Sequence, residues 1–325
     1  MRPPAFFAAS LHYQYFRAGN ADDASTKTRG GFALIGGGDD LDAAFQWMCE
    51  RSGGGDFLIL RASGDDDYNP YVKGLCKLNS VATLILPDRA AAEDPFVAAT
   101  IRKAEAIFVA GGDQANYINF WMGTHVQTAI NEAIARGVPV GGTSAGLAVQ
   151  GEFVYSAQAD PADGPDLQSA EILADPFHPR VTIVQRFLEN PLLRNVITDS
   201  HFAARDRMGR TLVFMARILQ DRRAREVRDM AIDERTAVLL EPSGMATVVG
   251  EGAAYFLQAT RRPEVCKAHT PLTFRGISVR SLRAGDRFNV MDWSGTAGTS
   301  YTLSVESGTI HSTLSDGAVY TGKAK

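Results

Sequence analysis

The sequence predicts an α/β fold in which a largely parallel sheet is flanked by helices, followed by a small β-rich appendage at the C-terminus. Three observations carry this. Short apolar runs at Phe32, Phe57, Val81, Ala106 and Val138 each end in glycines or polar residues, and segments with helical spacing lie between them. Runs that are apolar on consecutive residues belong to strands buried on both faces, as in a parallel sheet. Beyond His269 the composition shifts to Gly, Ser and Thr with hairpin-like pieces such as DRFNVMDW and YTLSVESGTIHSTL.

Taken in order, residues 1–30 end in the polar stretch GNADDASTKTRGG and read as an irregular arm. FALIGGGDD follows as a strand running into glycines, and LDAAFQWMCERSG carries Leu41, Phe45 and Met48 at helical spacing. Gly36 to Gly38 do not open a dinucleotide fingerprint, because Leu41 stands where its last glycine is required. A tight turn at the edge of the sheet is the expected role. DFLILRASGDDD, VATLILP and AIFVAGGDQ repeat the pattern of strand into loop, and residues 128–137, TAINEAIARG, form a helix closed by Gly137. After residue 151 the chain is loop-rich, with a strand expected near Val181, a helix from Phe202 to Leu219, and strands in MAIDERTAVLLE, ATVVGEG and AAYFLQA. The chain therefore divides into the arm at 1–30, a main domain at 31–265 and a β-rich extension at 266–325.

Bulk properties exclude several functions. With 33 basic and 37 acidic residues the net charge is −4, so no global field recruits nucleic acid or an anionic membrane. No run approaches the length of a transmembrane helix. Cys49, Cys76 and Cys266 are odd in number and widely spaced, which predicts free buried thiols and fits no zinc site. No metal or cofactor is implied. The apolar patch near the N-terminus is short and aromatic for a signal peptide, so a cytoplasmic location is the default, with secretion through a removed leader as the alternative.

The chemistry concentrates at VPVGGTSAGLAVQ, residues 138–150. Ser144 stands between Gly142 and Gly146, after a strand and before a helix. A serine presented on such a turn needs small neighbours, because the backbone is compressed and the hydroxyl must stand clear of it. The N–H of Ala145, at the start of the helix, is then free to stabilise an oxyanion. The plainer reading is a glycine-rich connector, and partners decide between the two. Of six histidines, His12 lies in the arm, His269 and His311 in the tail, His125 beside a turn, and His178 between prolines. His201 sits where an apolar strand ends at Asp199, on the carboxyl edge of the sheet, as a base for Ser144 should. Arg205, Arg207 and Arg210 follow it. They form either a solvated, ion-paired face or a pocket for substrate carboxylates. An orienting acid is available in AIDERTA, where Asp233 and Glu234 are adjacent and point to opposite faces, so one alone can reach His201. The order Ser, His, acid differs from the Ser, Asp, His order of α/β-hydrolases.

On GGTSAG, IFVAGGDQ, DSHFAARDRMGR and IDERTA, the stretch from Gly31 to Leu257 resembles the cyanophycinases and the related aspartyl dipeptidases known as peptidase E. These are serine peptidases on a fold similar to class I glutamine amidotransferases, a flavodoxin-like arrangement. The resemblance implies Ser144 as nucleophile, His201 as base and Glu234 as the acid. It implies an oxyanion hole from Gly112 and Ala145, with Gln114, Asp199, Ser200, Arg205, Arg207 and Arg210 contacting substrate. The substrate implied is a small acidic peptide or a cyanophycin-like polymer, cut from its end through an acyl-enzyme. Cyanophycinases typically carry D-Q-H-F where this chain has Asp199, Ser200, His201 and Phe202. Ser200 removes a long two-way hydrogen-bonding group from the pocket wall, which leaves cyanophycin itself open as the substrate. The alternatives are a catalytically silent protein of this fold that binds an acidic ligand, and an α/β-hydrolase-type esterase. A strand edge or the β tail offers a surface for a homodimer.

Overall fold

The computed structural model describes residues 12–161 and 164–321. The apolar patch within residues 1–11 that bears on a leader lies outside them. In chain order the first half holds β1 (Gln14–Gly19), β2 (Phe32–Ile35), α1 (Asp42–Arg51), β3 (Asp56–Arg61), α2 (Tyr68–Leu75), β4 (Ser80–Ile85), α3 (Arg89–Ala92), α4 (Pro95–Lys103), β5 (Ala106–Val109), α5 (Gln114–Trp121), α6 (His125–Ala135), β6 (Val140–Thr143) and α7 (Ala145–Ala148). The second half holds β7 (Phe153–Tyr155), α8 (Ser169–Ala174), β8 (Ile183–Gln185), β9 (Val196–Asp199), α9 (Met208–Gln220), β10 (Val227–Ile232), β11 (Thr236–Leu240), β12 (Met245–Gly250), β13 (Ala254–Ala259), β14 (Val265–Lys267), β15 (Thr270–Leu282), β16 (Arg287–Asn289), β17 (Thr299–Glu306) and β18 (Thr309–Ser312).

The molecule is a mixed α/β structure of two sheets flanked by helices. The first sheet has the order β1-β4-β3-β5-β6-β2-β11-β12-β16. Its centre, from β4 to β2, is parallel throughout and corresponds to the five apolar runs of the sequence. Alternate residues of these strands feed different cores. Leu34, Leu58, Leu60, Ile107 and Val109 pack on one side, while Ile35, Phe57, Ile59 and Phe108 pack on the other against Phe45 and Met48 of α1. Both faces are dry, which is why the strands read as continuous apolar runs. The helices between them begin on capping side chains: Asp94 accepts from the Phe96 N–H at 2.7 Å ahead of Pro95, and Asp113 accepts from the Ala115 N–H at 2.8 Å. Helix α6 is closed by Gly137 at φ +80°.

Several elements differ from the sequence expectation. The arm expected to be irregular contains β1, paired antiparallel with β4, where Tyr13 stacks on Phe96 and Tyr15 meets the same ring edge-on, docking the segment against the sheet. The β appendage expected at 266–325 is built into both sheets. β15 pairs with β13, β17 and β18 continue outward from it, and β16 joins β12 of the first sheet. The second sheet thus runs β18-β17-β15-β13-β10-β9-β7-β8, with β14 paired to β15. Helix α9 starts at Met208 rather than Phe202, because His201 and Asp206 have φ of 48° and 49°, outside helical space. Arg205 and Arg207 therefore lie in a turn. Two cysteines expected to be free form a disulfide, Cys49–Cys76, with Cα atoms 6.3 Å apart. Helices α1 and α2 pack side by side, and that neighbourhood was invisible in the spacing of the cysteines. Cys266 remains a free buried thiol, pushed up to about 12 by its burial.

Candidate active site

Ser144 links β6 to α7 with φ 54° and ψ −114°, a strained conformation for a residue with a side chain. Packing holds it there. A Cβ at Gly146 would overlap the carbonyl of Val109 on β5, and one at Gly142 would run into the backbone of Gly146. Both glycines are required by contact, as the motif predicted. The Ser144 N–H donates to the Ile35 carbonyl of β2 at 3.1 Å, which fixes the turn against the neighbouring strand.

Ser144 Oγ lies 2.7 Å from His201 Nε2, and His201 Nδ1 lies 2.7 Å from Glu234 Oε1. Of the two adjacent acids it is Glu234 that meets the histidine. Asp233 turns away, and its carboxylate accepts from the N–H groups of Ala203 at 2.9 Å and Ala253 at 3.0 Å. It thereby holds the loop that follows His201. Burial pushes the imidazole below its usual pKa despite the Glu234 bond, and Arg205 and Arg207 push the same way. The ring is neutral at neutral pH. With Nδ1–H directed to the carboxylate, Nε2 presents its lone pair to the serine hydroxyl. Such a chain can take the serine proton during attack on a carbonyl and return it to a leaving group.

Gly112 and Ala145 line the same cavity of about 190 Å³ as Ser144. Gly112 has φ +147°, in the region glycine alone adopts freely, and Tyr117 fixes this turn by donating to the Ala110 carbonyl at 2.8 Å. Gln114, Ser200, Arg205, Arg207 and Arg210 also line the cavity. Asp199 does not. Expected to contact substrate, it is sealed behind the arginines at 3% exposure, where it accepts from Arg210 Nε at 2.8 Å and Nη2 at 2.5 Å. It also accepts from the Ser200 N–H at 2.8 Å. Burial alone would raise this carboxyl, but Arg210 and Arg207 hold it below the usual range. A strand-end aspartate beside three arginines is drawn to the nearest buried guanidinium, since neither charge is tolerable there alone. Arg207 donates through Nη1 to the Ser200 carbonyl at 2.9 Å. The arginines are thus both a pocket lining and an ion-paired cluster, and the two readings left open by the sequence are not exclusive.

Three features escaped the sequence reading. The Gly36–Gly38 turn is not at a sheet edge: β2 is central, and the Gly36 carbonyl accepts from the His201 N–H at 2.7 Å while Gly37 lies against the imidazole. The failure of the dinucleotide pattern was a signal that these glycines serve another close approach. Asp166, from the loop after β7, enters the cavity beside Arg205 and Arg207. Nothing in its local sequence marks it. Tyr117 likewise reads as an ordinary apolar helix position.

The chain is 28% identical over 215 residues to a cyanophycinase of Trichormus variabilis, and the match spans 65% of this chain and 65% of that relative's length. It is 26% identical over 272 residues to a cyanophycinase of Synechococcus elongatus, covering 79% of this chain and 78% of the other. The crystal structure of a peptidase from an acI-B1 Actinobacterium superposes with a TM-score of 0.52 at 17% identity, over 81% of this chain and 98% of that one, which shows likeness of fold. The family model of peptidase family S51 matches residues 61–241, from the end of β3 through the Ser144 turn and His201 to the strand after Glu234. The chain belongs to peptidase family S51, a family of serine peptidases.

Proposed function

We propose that this protein is a serine exopeptidase that hydrolyses aspartyl peptides or the ends of a cyanophycin-like polymer, on a fold of the class I glutamine amidotransferase type. The observation that carries the reading is the unbroken chain from Ser144 Oγ through His201 to Glu234, with both contacts at 2.7 Å, opening on an arginine-lined cavity. Ser144 attacks the aspartyl carbonyl while His201 Nε2 takes its proton, and Glu234 stabilises the imidazolium that forms. The oxyanion is met by the N–H groups of Gly112 and Ala145. His201 returns the proton to the leaving amine as the carbon–nitrogen bond breaks. Water, deprotonated by the same histidine, then releases the acid from Ser144.

Cavity size supports short substrates or chain ends, because a space of about 190 Å³ has no room for several residues on each side of the scissile bond. The arginines support an acidic group in the substrate, since a guanidinium fork suits a carboxylate. Relatives described as cyanophycinases support the polymer as one candidate, and Ser200 in place of glutamine favours smaller acidic peptides.

The test is Ser144→Ala. It should leave the melting temperature within a few degrees of the parent, abolish turnover of aspartyl dipeptides, β-aspartyl-arginine and cyanophycin, and remove labelling by a fluorophosphonate. Retained turnover in this variant would exclude Ser144 as nucleophile. A parent protein that labels but cleaves none of the three would keep the serine chemistry and discard the substrate class.

A further inference from the structure

The three arginines beside Ser144 are not an open carboxylate site. Arg210 directs Nε and Nη2 to buried Asp199, at 2.8 and 2.5 Å. Arg207 Nη1 is occupied by the Ser200 carbonyl at 2.9 Å. Toward the cavity, Arg207 Nη2 and Arg205 Nη1 are both taken by one oxygen. Asp166 Oδ2 sits 2.7 Å from Arg207 Nη2 and 3.0 Å from Arg205 Nη1. The chain leading to it is anchored ahead of Asp166, by Arg180 Nε donating to Asp160 at 2.7 Å, Arg180 Nη2 to the Pro165 carbonyl at 2.7 Å, and Tyr155 Oη to Asp160 at 2.7 Å.

We infer that Asp166 is a specificity-determining residue which occupies, with its own carboxylate, the place where an acidic group of the substrate binds, so that substrate must displace it. The inference rests on the aspartyl-peptide reading above and deepens it. Charge counting shows the consequence. Within this ion-paired cluster three guanidinium groups face two carboxylates, Asp166 and Asp199, an excess of one positive charge, with Asp113 also lining the cavity. With Asp166 turned aside the excess is two. The Asp166 side chain is 43% exposed, so it can rotate into solvent without burying an unpaired charge, whereas Asp199, at 4%, cannot. Hydrogen bonds and charge from Arg207 and Arg205 outweigh burial and bring the Asp166 carboxyl down to about 2, so it competes as an anion at any ordinary pH. A built-in anion raises the threshold for entry. Weak anions and neutral peptides cannot displace it, and a group bearing a full carboxylate at the right reach can.

The experiment separates binding from turnover. Ser144→Ala, with and without Asp166→Asn, is titrated calorimetrically with N-acetyl-aspartate and with N-acetyl-asparaginamide, which carries no carboxylate, as the neutral probe. An internal competitor lowers apparent affinity by the fraction of time the site is open, so removing one half-exposed ion pair should tighten N-acetyl-aspartate about fivefold or more. N-acetyl-asparaginamide should change by less than about twofold. Asp166→Ala, which deletes the carboxylate through a different side chain, must shift both probes in the same directions, and a thermal melt of each variant confirms folding. Equal or weaker N-acetyl-aspartate binding in both variants would overturn the inference while leaving the acidic-substrate reading intact. Absence of binding in every variant would overturn both. In the Ser144 background, Asp166→Asn should lower KM for an aspartyl dipeptide with kcat little changed. A fall in kcat alone would assign Asp166 to chemistry rather than competition.

Discussion

Gly37→Ala tests whether the glycine turn after β2 is part of the active site. A Cβ at position 37 would lie 2.5 Å from His201 Nε2, against about 3.4 Å for ordinary contact. The imidazole must therefore retreat by about 1 Å, which stretches the 2.7 Å contact to Ser144 beyond useful hydrogen-bond reach. Misplacement on this scale costs roughly a hundredfold in rate, so kcat/KM for an aspartyl dipeptide should fall by about two orders of magnitude. The substitution also places alanine at φ +92°, which costs about 1–3 kcal/mol of stability. Gly276→Ala controls for that penalty, because Gly276 has φ +74° with no atom within 4 Å of its Cβ position. It should lower the melting temperature similarly and leave activity intact. Initial rates and a melt on both variants suffice. Gly37→Ala with kcat/KM within about threefold of the parent would refute the claim that this turn sets the position of the base.

Glu234→Gln replaces a charge-assisted bond to His201 with a neutral one and should lower kcat/KM by on the order of a hundredfold or more. Because Glu234 favours the protonated imidazole, its loss should also move the acid limb of the pH–rate profile to lower pH, and a limb that moves upward would contradict the pairing. Asp229 is fully buried, neither carboxylate oxygen has a hydrogen-bond partner among the described residues, and burial together with Asp199 pushes its pKa well up. A raised carboxyl pKa contributes stability at low pH that is lost as pH rises toward the folded-state value, so Asp229→Asn should gain on the parent in melts as pH increases from acid to neutral. A difference independent of pH would show that this group does not titrate on unfolding. Reduction of Cys49–Cys76, which spans 27 residues, should cost about 3.5 kcal/mol on chain entropy, read as a lower melting temperature with reductant that the Cys49→Ser, Cys76→Ser double variant reproduces without it.

What the sequence revealed follows from which contacts are local. The five parallel strands were legible because Phe32, Phe57, Val81, Ala106 and Val138 begin runs buried on both faces, with no charged position inside them. The turn at Ser144 was legible because its two glycines flank the serine within one pentapeptide, and Gly142 is compressed by the backbone of Gly146. Asp199 was misassigned for the opposite reason. A polar residue closing a strand looks the same whether it faces a cavity or, as here, a guanidinium eleven residues on. Asp166 and Tyr117 act through tertiary contacts of loops and helix faces that no period encodes. The tail was taken for an appendage because its Gly, Ser and Thr content and hairpin-like pieces mark short strands but not the sheet to which they belong.

The site stands on the seam between the two sheets, and this explains the order of its residues. Ser144 and the Gly37 and Gly112 turns follow β6, β2 and β5 of the first sheet, whereas His201 follows β9 of the second. Glu234 lies in the turn where β10 of the second sheet passes into β11 of the first. The acid can follow the histidine in sequence because β9 and β10 are parallel neighbours, with Asp199 opposite Ala231, so their carboxyl ends emerge together. Two contacts of 2.7 Å across such a seam require the sheets to be fixed against each other. Thr198 of β9 supplies one tie, its hydroxyl meeting the carbonyls of Leu147 at 2.9 Å and Ala148 at 3.2 Å on α7, the helix that begins just after Ser144. The histidine's strand is thereby fastened, one residue before its end, to the helix that follows Ser144. Neither sheet alone holds the proposed nucleophile with its proposed base, and the proposed chemistry is a property of their registration.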